Sequence, residues 1–282
     1  MKKQIADLRF IPIADALLHE ETDPSRVKRI MDELLSTGIL RNPPIAVPMP
    51  EAGKYLILDG ATRTTAMREM GLLHIPVQIT NYGTGQQAVR LESWHHILPQ
   101  NSPFEILEQL SRLEAIIHET SAEIAAGQLE KNLITAYMYC SGKCFTLEPA
   151  FDANTEDKFP ARALLLNKLV GIYNQGHEIY RLAQSEMEEL VAEQRKPVAM
   201  MVFPKFKPGQ IMYAAYQGTL LPAGITRHLI PGRALHLNIP FSLIFSAMEL
   251  AAKQDWLDQY IAGRILGKQV RYYHESVILF DE

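Results

Sequence analysis

The stretch Tyr55–Gly71, YLILDGATRTTAMREMG, joins an apolar run to a helical pattern through Asp59-Gly60. A helix beginning there presents backbone N–H groups with no partner inside the helix, and such an end attracts anions. Gly60 allows close approach of a ligand to the backbone. Thr62, Thr64 and Thr65 add hydroxyls, and Arg63 adds a planar fork of donors matched to phosphate oxygens. A plainer reading has Asp59 and Thr62 capping the helix with Arg63 in solvent. The local sequence leaves both open.

Three further places carry groups able to do chemistry. His19-Glu20-Glu21 puts an imidazole and two carboxylates just before a helix start; they favour the helix dipole there, or one serves as a general base for a hydroxyl. In PAGITRHLIPGR, a Pro-Ala-Gly turn is followed by Thr226, Arg227 and His228 in an otherwise apolar region. Three adjacent polar side chains are costly to bury without partners, so either they lie in a surface loop or a small carboxylate or phosphate meets them. ESWHHI offers Trp94, His95 and His96, but adjacent histidines on a strand point to opposite faces and do not share a metal.

The elements that position these residues follow from periodicity. LRFIPIADA fits an edge strand because of its proline. The set Val27, Ile30, Met31, Leu34, Leu35 has helical spacing, with Pro24 in the first turn and Gly38 at the end. RNPPIAVPM and KYLILDG read as short strands, Thr62–Met70 as a helix ended by Gly71, and HIPVQITNY as a strand. The first 80 or so residues thus form a compact α/β unit. Beyond it, PFEILEQLSRLEAIIHE reads as one amphipathic helix, and ARALLLNKLVGIYNQ as another. Strands EIYRLA and PVAMMVFP flank a helix SEMEELVAEQ. KPGQIMYAAYQG and FSAMELAAKQDWLDQYIAGRIL read as helices, and VRYYHESVILF as a closing strand. The expected division is a domain over 1–98 and a second over 99–282, with a soft boundary near 98–102.

The 282 residues are 47% hydrophobic and 21% charged with a net charge of −4, an ordinary globular composition without a basic stripe for nucleic acid. Acidic residues outnumber basic ones in 103–131, where a DNA-reading helix-turn-helix would want the reverse. Cys140 and Cys144 are expected to be reduced and structural, facing each other across a hairpin turned at Ser141-Gly142-Lys143. No apolar run reaches the roughly 18 residues of a membrane span, and the N-terminal apolar stretch is interrupted by charge, so a cytoplasmic location is the default. Nothing in the sequence sets an oligomeric state.

Taken together, LLHEE with the following STGILRNPPI, YLILDGATRTTAMREMG, ESWHHI and LPAGITRHLIPGRALHLNIP resemble the free L-serine kinases with a ParB/sulfiredoxin-like fold. The likeness is greatest to the serine kinase of staphyloferrin-type siderophore biosynthesis and more distant to the archaeal ADP-dependent serine kinase. It spans nearly the whole chain, and PAG-x-TR with GR-x-L-x-L is its most specific part. The resemblance implies an α/β protein with a ParB/sulfiredoxin-like nucleotide-binding N-terminal domain and a mixed α/β C-terminal domain that completes the serine site. It implies phosphoryl transfer from ATP or ADP to L-serine with Mg2+, yielding O-phospho-L-serine for diaminopropionate or cysteine synthesis. Carried over, Glu20 is the base, Asp59 positions metal or the serine hydroxyl, and Gly60, Ala61, Thr62 and Arg63 cradle phosphates. Trp94, Thr226, Arg227 and His228 enclose the serine. Ala61 and Thr62 stand where archaeal members carry histidines. Other classes remain: a ParB-like nucleotide-dependent DNA-binding protein, and a regulator that senses nucleotide or serine without turnover. A sulfiredoxin-like reductase would need a cysteine in the Asp59-Gly60 corner, where Ala61 and Thr62 stand.

Overall fold

A computed structural model describes residues 6–85, 88–98, 103–112, 115–140, 143–149, 158–174, 179–192 and 199–273. The chain forms two compact units, one from residues 1–16, 24–89 and 230–282, the other from 17–23 and 90–229. It passes between them four times, where the sequence suggested one crossing near 98–102. The reason lies in long-range packing. The helix Leu250–Leu266 belongs with the edge strand Asp7–Pro12, where the Gln254 amide accepts from the Phe10 N–H at 2.8 Å and donates to the Leu8 carbonyl at 3.2 Å.

The first unit is built on a mixed sheet. Asp7–Pro12 runs antiparallel to His74–Ile79, which lies beside Ile45–Met49, then Lys54–Asp59, then the short Ala16–Leu17. Ala46, Leu56, Ile57, Ile75 and Val77 are completely buried in it. Helices Pro24–Thr37 and Ala61–Glu69 pack on each other. Only Val27 and Leu34 of the expected five-residue stripe are buried, while Leu35 is largely exposed, so the apolar seam of the first helix is narrower than its spacing suggested. Each fully buried aliphatic side chain contributes about 1.5–3 kcal/mol, so this loss weakens the helix but leaves it anchored.

The second unit carries a six-stranded sheet, ordered Tyr180–Leu182, His95–Ile97, Ala199–Val202, Ala136–Cys140, Lys143–Pro149, Ala115–Thr120. One expectation fails here. The amphipathic pattern from Pro103 continues as helix only to Ser111, and Ala115–Thr120 is an edge strand, paired in register from Ala115 with Pro149 to Thr120 with Cys144. Ala-Ile-Ile-His-Glu-Thr is rich in β-branched residues, and pairing with the neighbouring strand overrides the helical spacing. The cysteines are free and buried, as expected, but they do not face each other: Cys140 lies opposite Lys143 and Cys144 opposite Tyr139. Burial pushes the Cys144 thiol up to about 11, which keeps it unreactive. The turn residues Ser141 and Gly142 lie outside the described residues, as does most of the expected closing strand, whose described part 270–273 has no regular structure. The final helix begins at Leu250 rather than Phe245, after a short separate helix Phe241–Phe245. Among the described residues no helix is long and apolar enough to cross a membrane.

Candidate active site

In the second unit, Glu20 sits where the segment 17–23 bridges to Leu221. The His19 carbonyl accepts from the Leu221 N–H at 2.8 Å, and the Glu21 N–H donates to the Leu221 carbonyl at 2.8 Å, so the backbone clamps both sides of Glu20. Its carboxylate then meets the turn that follows Pro222. The Gly224 N–H donates to Oε2 and the Thr226 N–H to Oε1, each at 3.1 Å. The Thr226 hydroxyl also donates to Oε1. A hydroxyl has one proton, and here it is spent on Glu20, so the 2.9 Å contact between His19 Nε2 and Thr226 Oγ1 must be an N–H donating from His19. That assigns the His19 tautomer.

The strand Thr226–Leu229 pairs antiparallel with Arg90–Ser93, setting Thr226 opposite Ser93 and Arg227 opposite Glu92. Strand alternation turns Thr226 and His228 inward and Arg227 to the other face. His228 meets the His19 ring edge-on with centroids 5.1 Å apart. The Arg227 guanidinium lies 4.3 Å from the centre of the Trp94 ring and 3.4 Å from Glu92 Oε2. Stacking and the cross-strand carboxylate hold the cation partly exposed, with donors left for a ligand. The partners that the three polar residues require are therefore supplied by Glu20, His19, Trp94 and Glu92. Glu92 and His19 had no assigned role in the sequence reading.

In the first unit, Gly60 occupies the N-cap of the helix Ala61–Glu69 with φ 85°, a left-handed conformation. No side chain caps this end, and the Gly60 carbonyl accepts from the Thr64 N–H at 2.9 Å and from its hydroxyl at 3.0 Å. The N–H groups of Ala61, Thr62 and Arg63 precede the first intrahelical bond. Neither Asp59 nor Thr62 caps the helix, which removes the plainer reading of this corner. Arg63 folds back over Gly60, so a Cβ there would lie 2.9 Å from its Nη2 and 3.1 Å from the Pro44 Cα. Arg63 Nη2 donates to Asp59 Oδ2 at 3.1 Å, while its Nε and the Thr65 hydroxyl are buried with no partner.

A second guanidinium joins this corner from far along the chain. Arg233 Nη1 donates to the same Asp59 Oδ2 at 3.2 Å. Gln78 presents it: its amide donates to the Gly232 carbonyl at 3.0 Å and accepts from the Ala234 N–H at 2.8 Å. Arg233 lies in the GR of the PAG-x-TR and GR-x-L-x-L stretch, where an adjacent glycine and a cationic side chain are the only local signal of a role. Among the described residues no group of three or more His, Cys, Asp or Glu could hold a metal ion. Asp59 offers a carboxylate beside the helix N-terminus, and both arginines lie on its Oδ2.

No family model matches the chain. The ATP-dependent L-serine kinase SbnI of Staphylococcus aureus is 24% identical over 275 residues, covering 98% of this chain and 97% of that one. The ATP-dependent L-serine kinase of Staphylothermus marinus is 23% identical, covering 82% and 88%. Among solved structures, SbnI with a C-terminal truncation superposes with a TM-score of 0.69 at 21% identity, covering 92% of this chain and 97% of that one. A free serine kinase in complex with AMP gives a TM-score of 0.70 at 17% identity, covering 86% and 95%. The α/β class and the likeness expected from the sequence therefore hold: the chain is similar to the ATP-dependent L-serine kinases in sequence and shares its fold with the free serine kinases.

Proposed function

We propose that the protein is a free L-serine kinase that moves the terminal phosphoryl group of a nucleotide, ATP foremost, to the hydroxyl of L-serine. The carrying observation is the Glu20 carboxylate, held by two backbone N–H groups and the Thr226 hydroxyl. In the step, Glu20 takes the proton from serine Oγ as the Oγ–phosphorus bond forms. The bond from that phosphorus to the bridging oxygen breaks, and the nucleotide leaves one phosphate shorter. Such transfer asks the protein for positioning and electrostatic stabilisation, with a carboxylate aligned on a poor hydroxyl nucleophile.

Arg227, stacked on Trp94, takes the serine carboxylate, and Thr226 and His228 complete the enclosure of the amino acid. Gly60, Ala61, Thr62 and Arg63 cradle the phosphates with their backbone N–H groups and the Arg63 fork, and Arg233 adds a second cation. Magnesium commonly takes one or two protein carboxylates together with substrate phosphates, a set that Asp59 Oδ1 fits, since the arginines occupy Oδ2. When bound, the ion would neutralise charge on the transferring phosphate. The names of the curated relatives, each an ATP-dependent L-serine kinase, support the reading. The product suits diaminopropionate formation for a siderophore or cysteine synthesis.

The test is incubation of purified protein with magnesium, L-serine and either ATP or ADP, with O-phosphoserine read by mass spectrometry. Glu20→Ala should abolish product while the fold survives, and Glu21→Ala should not. No product with either nucleotide rejects the reading; undiminished turnover in Glu20→Ala removes that residue as base.

A further inference from the structure

We propose that His96 is a positioning residue for Glu20, acting through the backbone of Gly224; the inference rests on the serine kinase reading above. His96 is completely buried and bonded on both ring nitrogens. Its Nε2 lies 2.9 Å from the Gly224 carbonyl, which only accepts, so Nε2 carries the proton. Nδ1 must then accept, and its partner is the Tyr173 hydroxyl at 2.9 Å. Burial holds the Tyr173 phenol protonated, and it lowers the His96 imidazole to about 4, so this chain of donors keeps one direction near neutrality.

The chain ends on the base. Gly224 donates its N–H to Glu20 Oε2, and one residue beyond the peptide that His96 grips, Thr226 donates to Oε1. The Ile225 carbonyl between them accepts from the Trp94 N–H at 3.0 Å. The carbonyls of 224 and 225 are thus held by the segment 94–96, while the N–H groups of 224 and 226 hold Glu20. Gly224 has φ 81°, and a Cβ there would lie 2.2 Å from Arg181 Nη2, so a guanidinium covers the remaining open side. The turn has its orientation set from His96, and the orientation of the turn sets the carboxylate. ESWHHI therefore serves twice, with Trp94 under Arg227 and His96 behind Glu20.

The test pairs kinetics with a measurement that needs no turnover. His96→Phe removes both bonds and keeps bulk, His96→Gln restores an N–H donor, and Tyr173→Phe removes only the donor to Nδ1. For variants whose melting shows a folded protein, we expect His96→Phe to lower kcat about tenfold or more with the nucleotide KM within about twofold, since a misplaced base costs rate rather than phosphate binding. His96→Gln should recover most of that loss, and Tyr173→Phe should fall between. In the ligand-free protein, the Gly224 amide proton resonance should move in His96→Phe in the same sense as in Glu20→Gln. Unchanged kcat in folded His96→Phe, or an unmoved Gly224 resonance, overturns the proposal. Should His96→Phe not fold, the same two readouts on Tyr173→Phe and His96→Gln decide it. Absence of O-phosphoserine from the wild type defeats the kinase reading instead, and the amide resonance still decides whether His96 sets the contact of Gly224 with Glu20.

Discussion

Thr226→Val tests the arrangement around Glu20 with almost no change of shape. The threonine is buried, and its hydroxyl both donates to Glu20 and accepts from His19. A hydrogen bond to a charged group contributes about 1.5–3 kcal/mol, and a buried donor left unpaired costs about 1–3 kcal/mol more. His19 Nε2 is 3.8 Å from Glu20 Oε1, so a small shift lets it donate there and recover part of the loss. The net cost is about 3 kcal/mol, or roughly 6–12 °C of melting temperature at about 2–4 °C per kcal/mol for a chain of this size. Thr226→Ser keeps the hydroxyl and loses one methyl group, about 1 kcal/mol. Chemical denaturation of both variants, monitored by circular dichroism, measures the difference directly. A valine variant as stable as the serine variant would show that the hydroxyl does not bridge His19 and Glu20, and the tautomer assigned to His19 would fall with it.

Further outcomes concern the other unit and pH. Gly60→Ala forces a left-handed alanine against Arg63 and the Pro44 backbone, so it should cost about 1–2 kcal/mol and raise the nucleotide KM, both readable from melts and initial rates. Arg233→Ala should weaken nucleotide binding by about tenfold, the value of one charge-assisted contact, and Gln78→Leu should reproduce much of this by releasing 232–234; calorimetric titration with nucleotide checks both. His96, lowered to about 4 by burial against an ordinary 6.5, binds its proton more readily in the unfolded chain. Its contribution is complete above pH 6.5 and is lost as pH falls towards 4, by at most about 3 kcal/mol. His96→Gln should flatten that part of the stability profile measured by urea titration, and an unchanged slope between those pH values would count against the buried neutral ring.

Features set by neighbouring residues could be read before folding. The strand, the Gly60 break and the helix from Ala61 follow from an apolar run, a glycine and a helical stretch in one short segment. Pro24 and Gly38 bound the first helix as expected, the latter with φ 65°. What escaped was set by distant partners. Thr226 and Glu20 are 206 positions apart, and Arg233 reaches Asp59 across 174. Ala115–Thr120 became a strand because Lys143–Pro149 offered it an edge, a preference that spacing within the segment cannot express. His96 looked ordinary because its two bonds go to Tyr173 and to a backbone carbonyl beyond position 220.

The fourfold passage of the chain between its units has a consequence for how such a protein can be divided. Residues 90–229 enter and leave the first unit as an insertion, and the helix Leu250–Leu266 that accompanies Asp7–Pro12 is made only after the insertion is complete. A fragment ending near 98 would lack that helix and Arg233, whereas a chain in which 90–229 is replaced by a short linker would retain both. The first unit is therefore a split one, closed by residues 230–282, and during synthesis residues 90–229 are complete before the unit that hosts them.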